Sequence, residues 1–192
     1  MGKLILIKHA MPALSEHTPS NQWQLTEEGR KQARSLGEKL KDYSFLKVYS
    51  SKEPKAVDTA KEIAAASSVE VEEVHNLHEH VRETNRIIYP RKEWREIIQK
   101  FFDHPSELIF GDETADQARE RFSKAVKQVL EGHPDEEDVI VVTHGTVMTL
   151  FITQFNDLDA FTLWDTFGLP SYAELDRENL SLSDIVNMEE VK

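Results

Sequence analysis

No cysteine occurs anywhere in the 192 residues. Disulfides, thiolate-bound metals and a cysteine nucleophile are thereby excluded, so the fold and any chemistry must rest on other side chains. Glycine and proline are scarce, at seven each. Neither gathers into a linker or low-complexity tract, and residues 1–192 read as a single domain. No apolar run approaches the roughly 20 residues that would span a bilayer. The "LILI" near the N-terminus is too short for a secretory h-region. Positive charge is also in deficit, since 23 Lys and Arg against 35 Asp and Glu leave a net charge of −12. Nucleic acid and acidic membrane surfaces call for the opposite sign, so neither is expected as a partner, and the expected setting is cytoplasmic. A small anion remains compatible, held by a local cluster of cations within an acidic envelope.

What the chain does have is alternation. "KLILIKH" (3–9) is a short apolar run rich in strand formers. "LTEEGRKQARSLGEKLKDY" follows with Ala33, Leu36 and Leu40 at helical spacing, Thr26 placed to cap, and Glu27 and Glu28 at the positive end of the helix dipole. "FLKVYSS" is the next strand. "KEPKAVDTAKEIAAA" is an Ala-rich helix with Ser51 as the expected cap and Pro54 in the first turn, where its missing N–H is harmless. "VEVEEV" alternates like an exposed strand. Two amphipathic helices come next, one with Trp94, Ile97, Ile98, Phe101 and Phe102 on one face, the other with Ala118, Phe122, Ala125, Val126 and Val129. "DVIVVTHG" is the second strongly apolar strand, "TVMTLFITQF" the helix after it, and "SYAEL" a last strand. This order predicts an α/β three-layer sandwich with a mainly parallel central sheet flanked by helices. Ligands of such sheets gather outside the carboxyl ends of the strands. His9, Ser50, Ser51 and His144 all fall there.

The first and fourth strands match each other: "LILIKHA" and "VIVVTHG" each run four apolar residues, one polar residue, then histidine. Adjacent parallel strands lie only about 5 Å apart, so two imidazoles would share one rim. Such a pair suits phosphoryl transfer, one ring attacking phosphorus while the other stabilises the shifting charge. At this point "IKHA", "LTEEGRKQA", "YSSKEPKAVDTA", "LHEH" and "VVTHG" resemble, in order and spacing, the histidine phosphatase superfamily, the phosphoglycerate-mutase-like proteins. The resemblance runs from about residue 3 to about residue 155 and is thinnest over 81–110.

The resemblance implies roles for individual residues. His9 matches the nucleophile that becomes phosphohistidine, and His144 the second histidine of the phosphate pocket. Glu79 matches the acid that protonates the leaving group and then activates water, with Glu83 a second carboxylate in the same stretch. Lys8 and Lys55 stand where the family usually has arginines, keeping the charge but losing the planar fork that grips phosphate. Arg82 would supply a replacement guanidinium if its loop turns inward; a surface ion pair is the other reading. Gly145 lets backbone approach a phosphate closely. His75, His78 and His80 invite a metal site, yet no third ligand accompanies the two that would share a strand face. No metal or cofactor is expected. The expected function is a metal-independent phosphatase acting on a small phosphorylated substrate through a phosphohistidine on His9. The alternatives are a catalytically weak relative that binds a phosphorylated ligand or protein, and a phosphoglycerate-type mutase. Residues 81–110 are expected to form a lid or specificity insert.

Overall fold

Residues 4–7 are fully buried on both sides of their strand, which is what four consecutive apolar residues demand of a central position in a covered sheet. In the computed structural model, which describes residues 2–84 and 87–188, this segment is β1 (Lys3–Lys8). Residues 85 and 86 of the expected insert, together with the extreme chain ends, lie outside the described residues. β1 joins β2 (Lys47–Ser50), β3 (Glu70–Glu73), β4 (Val139–Thr143), β5 (Ser171–Asp176) and β6 (Leu182–Asn187) in one six-stranded sheet of order β3-β2-β4-β1-β5-β6. The first four of these positions run parallel, whereas β5 and β6 are antiparallel additions at one side. The mainly parallel sandwich is therefore present, with "VEVEEV" as the edge strand paired to β2 on one side, its open edge guarded by glutamates.

Strand periodicity divides the core into two layers. Ile5 and Ile7 face α1 (Glu27–Lys39) and α2 (Pro54–Ser67), packing with Leu36, Leu40, Ala60 and Ile63. Leu4 and Leu6 face the opposite side, where α4 (Ala115–Glu131) contributes Phe122 and Val126 and α5 (Gly145–Ile152) contributes Met148 and Phe151. Each such side chain adds about 1.5–3 kcal/mol of burial. α3 (Arg91–Asp103) buries Ile98 and Phe101, as its apolar spacing predicts. Two elements were not foreseen: α6 (Ala160–Thr166), which is only two turns long, and β6, whose half-exposed "LSDIVN" has no clean alternation.

Thr26 caps α1 as expected, its hydroxyl accepting from the Gly29 N–H. Ser51 does not cap α2. Its own N–H still bonds the Val142 carbonyl of β4, so the chain remains extended there and the helix starts three residues later, with Glu53 at the N-cap position and Pro54 at N1. Ser51 is thereby left free for the rim.

Gly29 sets how closely α1 approaches the loop after His9. A Cβ built there would lie 2.4 Å from the Met11 carbonyl oxygen, an atom of backbone with little room to retreat. Alanine ordinarily gains about 1 kcal/mol over glycine inside a helix. Gly29→Ala should reverse that sign and cost about 1–3 kcal/mol through overpacking. The expected observation is a lower urea midpoint with an unchanged m-value; a raised midpoint would contradict the packing described.

Candidate active site

Parallel pairing sets Lys8 opposite Thr143, so the next residue of each strand, His9 and His144, leaves the sheet at the same rim. Their ring centroids are 5.1 Å apart in an edge-to-face arrangement. His9 Nδ1 lies 2.8 Å from the Ala10 carbonyl oxygen. A carbonyl can only accept, so Nδ1 carries the proton and Nε2 bears the lone pair. Burial holds His9 well below the usual imidazole range, reinforced by the positive charge of Lys55 and by His144. The ring is accordingly neutral near pH 7. His144 is fully buried, with Nε2 2.9 Å from Ser51 Oγ and Nδ1 unpartnered among the described residues. Burial, followed by the charge of Lys55, keeps it neutral too.

The two expected lysines both reach this place. Lys8 Nζ donates to the Phe167 carbonyl (2.8 Å) and Lys55 Nζ to the Ser20 carbonyl (2.7 Å). Burial lowers Lys8 to about 8 against the pull of Glu79. The space beside Gly145 is taken by the Lys8 side chain, whose Cε would lie 3.1 Å from an added Cβ. A cation in the first turn of α2 opposes the helix dipole and calls for an anion beside it. Part of that anion is internal, because Glu53 Oε2 lies 2.8 Å from Lys55 Nζ. Arg82 does turn inward. Its Nε donates to Ser20 Oγ at 3.1 Å, and its guanidinium lies 4.6 Å from the centre of the Trp94 ring.

Of the two carboxylates, Glu79 lies in the site, whereas Glu83 bonds Asn21 in an exposed position. The Glu79 carboxylate accepts from the N–H of Thr146 and Val147 at the start of α5 and from the His80 N–H. Burial works to raise its pKa, but the backbone donors of His80 and Thr146 help to keep it below the ordinary carboxylate value. The loop bearing Glu79 is fastened by α4. Arg121 donates to the carbonyls of Asn76, His78 and Glu79 while pairing with Glu113. Of the three histidines nearby, His75 faces Lys52 in an exposed position, His78 is half-buried, and His80 packs between Phe101 and Phe110.

Lys8, His9, Lys55, Glu79, Arg82 and Gly145 all line one cavity of about 180 Å³. His144 stands next to His9 rather than on the cavity wall. All three tryptophans of the chain, Trp23, Trp94 and Trp164, complete the lining. Sequence reasoning missed Glu53, Ser20, Trp23 and Trp164, whereas Trp94 falls within the expected 81–110 insert. Glu53 has one usable signal, a carboxylate two positions before Lys55 in a first turn. Ser20 and Trp23, from the segment before α1, and Trp164, from the short α6, are distant in sequence and give none.

Paired imidazoles facing several cations thus stand at the rim of a parallel α/β sheet, an arrangement suited to a phosphoryl group. The sequence pattern of the histidine phosphatase superfamily (branch 1) matches residues 4–179, and the chain belongs to that family. A metal-independent phosphoserine phosphatase of Arabidopsis thaliana is 36% identical over 135 residues, which is 65% of this chain and 55% of that protein. The chain thus aligns with little more than half the length of that relative. Phosphoserine phosphatase 1 of Hydrogenobacter thermophilus is 28% identical over 200 residues, covering 99% of this chain and 88% of that one. Among solved structures, a mycobacterial glucosyl-3-phosphoglycerate phosphatase superposes with a TM-score of 0.76 at 18% identity, over 98% and 99% of the two chains, and shows the same fold.

Arg121→Met should strand the Glu113 charge and release three carbonyls. A loss of roughly 3 kcal/mol is expected, together with reduced turnover because Glu79 is no longer held. Thermal unfolding and steady-state kinetics check both; unchanged stability would show that the loop is fastened elsewhere.

Proposed function

We propose that this protein is a metal-independent phosphatase that hydrolyses small phosphomonoesters through a phosphohistidine on His9. The observation that carries this is the fixed tautomer of His9, whose Nε2 lone pair is left available in a cavity that also holds Lys8, Lys55 and Arg82. In the first step Nε2 attacks phosphorus, the bond to the ester oxygen breaks in line, and Glu79 gives its proton to the leaving alkoxide. In the second, water attacks the phosphohistidine, Glu79 takes the proton, and inorganic phosphate leaves with His9 restored. Lys8, Lys55 and Arg82 offset the charge on the phosphoryl oxygens. His144 adds a hydrogen bond from Nδ1 in the tautomer whose Nε2 accepts the Ser51 hydroxyl.

The free-state preference of Glu79 for ionisation needs reconciling with an acid role. A phosphate brought against it is a like charge, which disfavours the carboxylate and raises its pKa, and a phosphomonoester has its own second ionisation near pH 6. Substrate arrival therefore loads the proton that the first step spends. Phosphoserine, the substrate in the names of two relatives, is the first natural ester to test. A second reading, that the chain binds phosphorylated ligands with little turnover, draws on the engagement of Lys8 and Lys55 with carbonyls and Glu53 in the free site. Phosphate binding without hydrolysis is the result that would favour it.

The pH profile of kcat/KM reports the groups of the free enzyme. Because His9 is held well below 6.5, the acid limb due to its protonation should lie well below that pH. Because Lys8 titrates at about 8, activity should fall above pH 8 as this cation loses its charge. Lys8→Arg keeps a charge at all working pH values and should abolish the alkaline limb, even if turnover drops. Hydrolysis of p-nitrophenyl phosphate in EDTA, with His9→Ala reduced to the buffer rate as control, makes the measurement. An alkaline limb unmoved by Lys8→Arg would assign it to another group.

A further inference from the structure

Beside the phosphate cavity lies a second one, also of about 180 Å³. The two share Trp23, Arg82 and Trp94, so they are chambers of one cleft with the guanidinium at their junction. Beyond it the wall changes character: Leu14, Ile87, Ile88 and Tyr89 join the two tryptophans, with Thr18 and Ser20 as small hydroxyl residues among them. Among the described residues, Arg82 is the sole charged side chain lining this chamber, and it is directed to Ser20 Oγ and the Trp94 face.

The rim is also unusual in what it leaves in water. Leu14 is 61% exposed, Ile87 64% and Ile88 37%. Single exposed apolar residues mean little, but a group lining one chamber next to a reactive site marks a contact surface. Phosphoserine would bring a carboxylate within reach of Arg82, but its ammonium would face this wall with no carboxylate in the lining, at a desolvation cost. A different chamber of about 290 Å³, which carries Asn21, Lys52, Glu53 and Glu83, is suited to polar groups. It shares Glu79 and Arg82 with the phosphate cavity but neither tryptophan.

We infer that the tryptophan-lined chamber receives the organic part of the substrate, and that this part is apolar: the alkyl or aryl group of a phosphomonoester. The inference rests on the phosphatase reading only in placing the phosphate beside His9. Residues 87–94 then act as a specificity wall, reading hydrophobic area while the cations read phosphate.

Methyl-, propyl- and hexylphosphonate are suitable probes, because they cannot be hydrolysed and differ only in apolar length. Titration of the intact protein, followed by calorimetry or by the fluorescence of Trp23 and Trp94, should show affinity rising roughly fourfold per buried methylene until the chamber is full. Ile88→Asn should lower the hexyl-to-methyl affinity ratio, a quantity in which a partial folding defect cancels. The matching alkyl phosphates, assayed for hydrolysis, should follow the same order in kcat/KM. Equal affinity for methyl- and hexylphosphonate, or tighter binding of phosphoserine than of hexylphosphonate, would overturn the inference. Length-dependent affinity with no hydrolysis of any ester would uphold it and overturn the phosphatase reading instead.

Discussion

Register between β1 and β4 is the constraint on which the site depends. With Lys8 opposite Thr143, His9 and His144 emerge together, and the N–H of His9 still bonds the Thr143 carbonyl. A slip of one residue would turn every side chain of β1 to the other face, exchanging the two core layers and parting His9 from His144. The register is secured because both faces of β1 are packed, Leu4 and Leu6 against α4 and α5, Ile5 and Ile7 against α1 and α2. Core packing and catalytic geometry are therefore the same fact viewed at two ends of one strand.

A cluster of cations is assembled inside an acidic protein. Net charge is −12, yet Lys8, Lys55 and Arg82 converge where the parallel strands end. Burying them together is expensive, and the structure offsets this with carbonyls of Phe167 and Ser20 and with the Glu53 carboxylate. Glu79 is tied to the positive end of α5, where helix polarity favours a carboxylate. An incoming phosphate would thus meet a balanced set of charges. Its own charge then displaces that balance, towards protonated Lys8 and protonated Glu79, which is the state the first chemical step needs.

Much of this was legible because β1 and β4 carry strong signals: apolar runs of fixed length, each ending in one polar residue and a histidine. Thr26, Pro54 and the apolar faces of α3 and α4 were legible for the same local reasons. Ser51 was misread as a cap because its role is set by a non-local bond to Val142, which keeps the chain extended. β5 was legible as "SYAEL", whereas its antiparallel partner β6 and the short α6 lack sustained periodicity. In the site, Lys8, His9, Lys55, Glu79, Arg82 and Gly145 were each named from the sequence and meet in one cavity. Ser20 and Trp23 escaped notice because nothing local shows that the 15–23 loop folds across α2.

The chemistry argued for this fold stands on His9 as nucleophile, and that can be observed directly. Protein mixed with p-nitrophenyl phosphate and quenched under alkaline conditions, which preserve phosphohistidine, should carry one added phosphoryl group. Peptide mass spectrometry should place it on His9. Turnover without any phosphorylated His9, or with the phosphoryl group on another side chain, would contradict the mechanism and leave the rim histidines a structural role.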